Sequence, residues 1–253
     1  MNEGSRFGLE ILNELKRHSV RVAGLVLIQQ PLRYQWLLFQ YVRKRVGWLE
    51  ALWFGVVRVV HDAWAAREQR KRPGFEADPA RLAERVVRTR GTNTPDSLAA
   101  LRELAPDVIV IGQTGILRKP LLAIPRIGTL NGHPGVLPHY RGIDSFQWAV
   151  WNAEPHNVGV SVHWVNAGVD AGPLLRVERF GVRDEAILRY EDWLFRQSAR
   201  LLAETVAGMD AENPPAGMPQ RPEDGKQYYK MPIGRERAVR SRLREAGRPT
   251  DRR

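Results

Sequence analysis

IGTLNGHPGVLPHYRG, residues 127–142, carries an apolar strand into a loop stiffened by two prolines. Proline fixes φ and removes a backbone donor, so this loop is neither helix interior nor central strand. Asn131 and His133 stand two apart at the junction. On an extended segment that spacing puts both side chains on one face. Gly132 between them is read as allowing close approach of a ligand.

Working outward, PDVIVIG (106–112) is a continuous apolar strand, and the helix before it, 95–104, opens with Thr94 as N-cap and Pro95 at the first position. Further upstream, 6–17 has helical spacing, VRVAGLVLI (20–28) is a β-branched strand, and ERVVRT is a short strand after a brief ADPARLA helix. Downstream come a helix from Asp144 to Trp151, strands VGVSVHWV (158–165) and PLLRVERF (173–180), and a long amphipathic helix over 184–207. Strands alternating with helices predict an α/β fold: a doubly wound, mostly parallel sheet with helices on both faces. Ligands of such sheets bind at the carboxyl ends of the strands, where Asn131 and His133 lie.

The 253 residues suffice for one catalytic domain over 1–210, with 211–253 as an extended C-terminal segment and basic tail. Cysteine is absent, which excludes a thiolate nucleophile, a cysteine zinc site and a disulfide framework. A reducing, cytoplasmic compartment fits. No apolar leader opens the chain, and no run of about 18 uncharged apolar residues would span a membrane. The net charge of +11 points to an anionic partner. Residues 234–253 hold eight Arg against three acids, supplying +5 of it, and read as a solvated tail.

Two segments depart from the pattern. Within 31–75, Trp36, Trp48, Trp53 and Trp64 interleave with Arg33, Arg43, Lys44, Arg45 and Arg58. This helical insertion after the second strand has three readings: packing on the domain with snorkelling cations, peripheral contact of 31–72 with the inner membrane face, or a homodimer face. The other oddity is the start. A helix begins near residue 6 with no strand before it, so the first strand of the sheet is missing. Either the native start lies upstream of Met1 or another segment fills the slot.

Asp170, in NAGVDAGPLL (166–175), joins Asn131 and His133 as the third polar group. A carboxylate beside an imidazole raises its pKa and fixes its tautomer. An amide donor with a protonated imidazole stabilises an oxyanion. That set suits acyl transfer to a nucleophile that the substrate itself brings. No pair of histidines has metal-ligand spacing, so no metal is expected.

LNGHPGVLPHYRG, DSFQWAVWN, VGVSVHWVNAGVDAGPLL and PDVIVIGQTGILRKPLLAIPRIG together resemble the folate-dependent formyltransferase family, clearly over 85–180 and more loosely over 6–28. One departure is Gly135, where the family more often has Ser. The resemblance implies a Rossmann-like fold and 10-formyltetrahydrofolate as donor. It implies Asn131, His133 and Asp170 as the catalytic triad: the substrate amine attacks directly, Asn131 and a protonated His133 hold the oxyanion, and Asp170 keeps His133 charged and handles protons. Gly115, Ile116 and Leu117 would read the pterin, and Asn166, Ala167, Gly168 and Val169 would close the other side of its pocket. Arg141, Gly142 and His163 are candidate acceptor contacts. The acceptor it favours is a small primary amine, above all a nucleotide-linked amino sugar. Methionyl-tRNA and glycinamide ribonucleotide acceptors, a formyltetrahydrofolate hydrolase, and a non-catalytic membrane- or nucleic-acid-binding homologue stay open. Nucleic acid is the less favoured partner.

Overall fold

A computed structural model describes residues 1–29, 36, 39–40, 42–44, 46–182 and 186–246. Helix α1 (Arg6–Arg17) is capped by the Ser5 hydroxyl, which accepts from the Gly8 N–H. Strand β1 (Leu25–Ile28) pairs in parallel with β2 (Val86–Thr89). Between them runs helix α2 (Trp48–Arg70). Helix α3 (Pro95–Leu104) leads to β3 (Val108–Ile111) and the short α4 (Lys119–Leu122). Then come β4 (Gly128–His133), β5 (Tyr140–Gly142), α5 (Ser145–Trp151), β6 (Gly159–Trp164), β7 (Leu174–Arg179), α6 (Ile187–Ala207), β8 (Lys226–Tyr228) and α7 (Ile233–Ala246).

The fold class is α/β, but the sheet is mixed rather than mostly parallel. β3 and β4 are parallel, whereas β4–β6 and β6–β7 are antiparallel. The reason is the connection. Only residues 165–173 join β6 to β7, too few for a parallel crossover, which needs a dozen or more residues returning across the sheet. β5 and β8 form a separate two-stranded parallel pair.

The expected strand over 20–28 is regular only from Leu25. Residues 1–3 run beside the end of β1. Asn2 forms a parallel bridge with Ile28, the Ile28 N–H donates to Met1 O, and the Glu3 N–H donates to Ile28 O. Beyond those residues β1 and β3 do not pair, and an apolar cavity of about 410 Å³ lies between them.

One face of β4 and β6, bearing Leu130, Val160 and Val162, is covered by α6, which also packs on α1. Tyr190, Leu194, Leu201 and Leu202 of α6 are fully buried there. Thr94 does precede α3, but its hydroxyl donates to Gly91 O and caps no helix N–H. The expected start of the long helix at 184–185 lies outside the described residues, as does most of 30–45.

The basic tail is not solvated through residue 246. Val239 and Leu243 of α7, spaced i, i+4, are buried in the main core with Met231. Arg235 stacks over Trp148 and Trp151, and Arg242 over Trp151. Composition predicted a solvated tail because it counts the arginines without registering that two apolar residues share one helical face.

Candidate active site

Asn131 and His133 end β4 on the face opposite α6. The helix side is closed at Gly132: a Cβ there would lie 2.7 Å from Ser198 Oγ of α6. Gly132 therefore admits a helix, not a ligand, which corrects the expectation from sequence. Across the antiparallel register Asn131 faces His163 of β6, and His133 faces Ser161. Ser161 Oγ donates to Gly135 O and accepts from the Leu137 N–H, tying the proline-stiffened loop down over the sheet.

Asp170 comes from the turn after β6 and stands between the two histidines. Its Oδ2 lies 3.6 Å from His133 Nδ1, and its Oδ1 lies 3.5 Å from His163 Nε2. The Asn131 amide donates to Asp170 Oδ1 at 3.4 Å and to His163 Nε2 at 3.2 Å. The Gly142 N–H donates to Asp170 Oδ2 at 2.9 Å. Gly142 reaches this position with φ +92°, open to glycine and strained for other residues.

The tautomers follow from the acceptors. His133 Nε2 lies 2.8 Å from Tyr140 O, which can only accept, so Nε2 carries the proton. His133 Nδ1 is then the nitrogen that faces Asp170. His163 Nδ1 donates in the same way to Trp164 O at 2.7 Å, leaving its Nε2 to accept from Asn131. Burial is the largest influence on His133 and pushes its pKa below the ordinary 6.5, although Asp170 pulls the other way. Burial would raise the Asp170 carboxyl, but His133, His163 and the Gly142 N–H together hold it below the ordinary carboxylate range.

These groups line one cavity of about 390 Å³. Gly115, Ile116 and Leu117 border it on one side, and Asn166, Ala167, Gly168 and Val169 on another. Gly142 and His163 border it too. Arg141 does not: its guanidinium donates to Arg221 O, bracing the C-terminal segment against β5. Sequence reading missed Ser145, whose hydroxyl stands 3.2 Å from His133 Nε2. It also missed Glu191 on α6, which lines the cavity and pairs with Arg58 of α2 at 3.1 Å. Burial raises the Glu191 pKa against the pull of Arg58. Nothing local in the sequence marks Glu191, because α2 and α6 meet only in the folded chain.

An adjoining cavity of about 710 Å³ shares Phe7, Gln113 and Phe195 with the first. Arg6, Arg58, Arg72, Arg189 and Arg196 line it. Arg6 is paired with Asp62 and Asp192, and Arg72 with Glu10. Arg189 and Arg196 have no carboxylate partner among the described residues.

Comparison with known proteins places this geometry among relatives. Residues 50–192 match the family model described as formyl transferase. A methionyl-tRNA formyltransferase of Trichlorobacter lovleyi is 37% identical over 118 residues, covering 46% of this chain and 37% of that protein. The methionyl-tRNA formyltransferase of Thermus thermophilus is 34% identical over 160 residues, covering 62% of this chain and 47% of its own length. The chain thus spans less than half the length of these curated relatives. A sugar N-formyltransferase structure from a Shewanella species aligns with a TM-score of 0.46 at 18% identity, covering 66% of this chain and 71% of that one.

Proposed function

This chain belongs to the formyl transferase family, and from that premise we propose that it moves a formyl group from 10-formyltetrahydrofolate to a primary amine. The observation that carries the reading is that the Asn131 amide and the His133 imidazole each lie within 3.6 Å of the Asp170 carboxylate in a single cavity.

The acceptor nitrogen attacks the formyl carbon, and the carbonyl oxygen becomes an oxyanion. The Asn131 amide turns from Asp170 and His163 to donate to that oxygen. His133 Nδ1 takes the proton the amine loses, and the imidazolium forms beside the Asp170 carboxylate. The bond to the donor nitrogen then breaks, His133 returns the proton to that nitrogen, and the products are a formamide and tetrahydrofolate. The residues suit this donor. The N–H groups of Gly115, Ile116 and Leu117 have no protein acceptor among the described residues, so they are free for the edge of a heterocycle.

The arginine-lined cavity beside the site supports an anionic acceptor, and a nucleotide-linked amino sugar fits a volume of about 710 Å³. A second reading, an aminoacyl-tRNA acceptor, is favoured by the names of the relatives and by the exposed Arg235, Arg237 and Arg244 of α7.

The test is a screen of amines with the folate donor, following tetrahydrofolate release. His133→Ala or Asp170→Ala should lower turnover at least about a hundredfold. Unchanged rates would remove the proposed roles. Formate release with no amine present would make the protein a hydrolase instead.

A further inference from the structure

Helix α2 is turned inside out. Arg58, His61 and Asp62 face the protein body, where Asp62 meets Arg6, Arg58 meets Glu191, and His61 Nε2 lies 2.8 Å from Asp192. Ala51 and Ala65 complete that buried face. The outward face carries Leu49, Leu52, Trp53, Val56, Val59 and Val60, with Leu49 84% and Val59 69% exposed. Water gains nothing from such a stripe, and a soluble helix ordinarily presents the opposite arrangement.

The stripe continues into a groove of about 840 Å³ between α2, the start of α6 and α7, bordered by Arg189, Arg240 and Arg244. Arginines also cover the rings at both ends of the stripe: Arg43 lies 5.0 Å over Trp48, and Arg189 lies 5.0 Å over Trp64. Among the described residues, the acids that border this face are committed elsewhere. Glu50 accepts from the Ile233 N–H, Glu236 pairs with Arg240, and Asp62, Glu191 and Asp192 pair on the body side. With Arg240 neutralised by Glu236, Arg43, Arg189 and Arg244 keep the rim cationic.

We infer that this face docks on an anionic lipid bilayer. α2 lies along the surface, its Leu, Val and Trp side chains sit at the acyl boundary, and the arginine rim meets headgroup phosphates. Charge selects this occupant. A two-fold pairing of identical chains would set the patch against itself and bring the two arginine rims together. An RNA would answer the arginines but leave the apolar stripe in water. No helix among the described residues is long and apolar enough to cross a membrane, so the contact is peripheral.

The experiment is co-sedimentation of the full chain with phosphatidylcholine vesicles, with and without phosphatidylglycerol. It does not read formyl transfer, so it fails independently of that proposal. Binding should require the anionic lipid and weaken with salt. Leu49→Glu with Val59→Glu, both at exposed positions, should lower partitioning at least about tenfold, with thermal unfolding confirming that the fold persists. Arg240→Gln with Arg244→Gln should lower binding while leaving the apolar stripe intact. Equal binding to neutral vesicles, or no vesicle binding, overturns the inference. So does a dimer in sedimentation velocity that the Leu49→Glu, Val59→Glu protein loses, if vesicle binding is absent.

Discussion

Gly135 and Ser145 divide one small space beside His133. A Cβ at 135 would lie 2.5 Å from Ser145 Cβ and 2.7 Å from His133 Nε2. The Ser145 hydroxyl stands in that space instead, reaching within 3.2 Å of His133 Nε2 from the start of α5. Gly135→Ser alone should destabilise by about 1–3 kcal/mol through overpacking. Ser145→Gly in the same chain should recover most of that loss, because the new hydroxyl then has room. Thermal unfolding of both single variants and the double variant measures this, and simple additivity would refute the shared-space account. His133 also sets a pH dependence. Its folded pKa is depressed, so between that value and the ordinary ~6.5 the unfolded chain binds more protons than the folded one. Stability should then rise with pH through that window and be lost on acidification. Urea unfolding at several pH values should show a smaller slope for His133→Gln below ~6.5.

Among the elements, α7 has the largest consequence for how the chain is divided. Leu243 is 1% exposed and lies in the main core with Val239 and Met231, so the C-terminal segment is part of the domain. Leu243→Ala should cost about 2–5 kcal/mol, read from the urea midpoint. A loss below about half a kcal/mol would mean the helix is peripheral after all. β4 shows the opposite relation to its sequence. Its alternation alone puts Asn131 and His133 on one face, because a strand's period of two leaves no other choice. What alternation cannot say is what covers each face. Gly132 reads as an opening for ligand, yet α6 approaches there, because the contact depends on a helix some sixty residues later in the chain.

At the scale of the whole molecule, the sheet is in two pieces of unequal support. β1 and β2 rest on a small cluster around Leu12, Leu25, Leu27 and Leu82, whereas β4 and β6 sit in the large core. Amides of Leu25–Ile28 should therefore exchange at least about a hundredfold faster than those of Val160 and Val162. Equal protection, measured by hydrogen exchange, would mean the two pieces unfold as one. The same long-range contacts mark the limit of sequence reading. The helices and strands of α1, β1, β2, α3, β3, β4, α5, β6, β7 and α6 and the strand-end position of Asn131 and His133 were legible, because periodicity, proline and glycine act over a few residues, whereas the short α4 and β5 were not, and the loops flanking the cavity were read from the family resemblance. The antiparallel half of the sheet, the burial that lowers the His133 pKa, the Ser145 contact, the diversion of Arg141 to Arg221 and the outward turn of α2 were not. Each of these depends on burial and on partners far apart in the chain, and only folding brings those together.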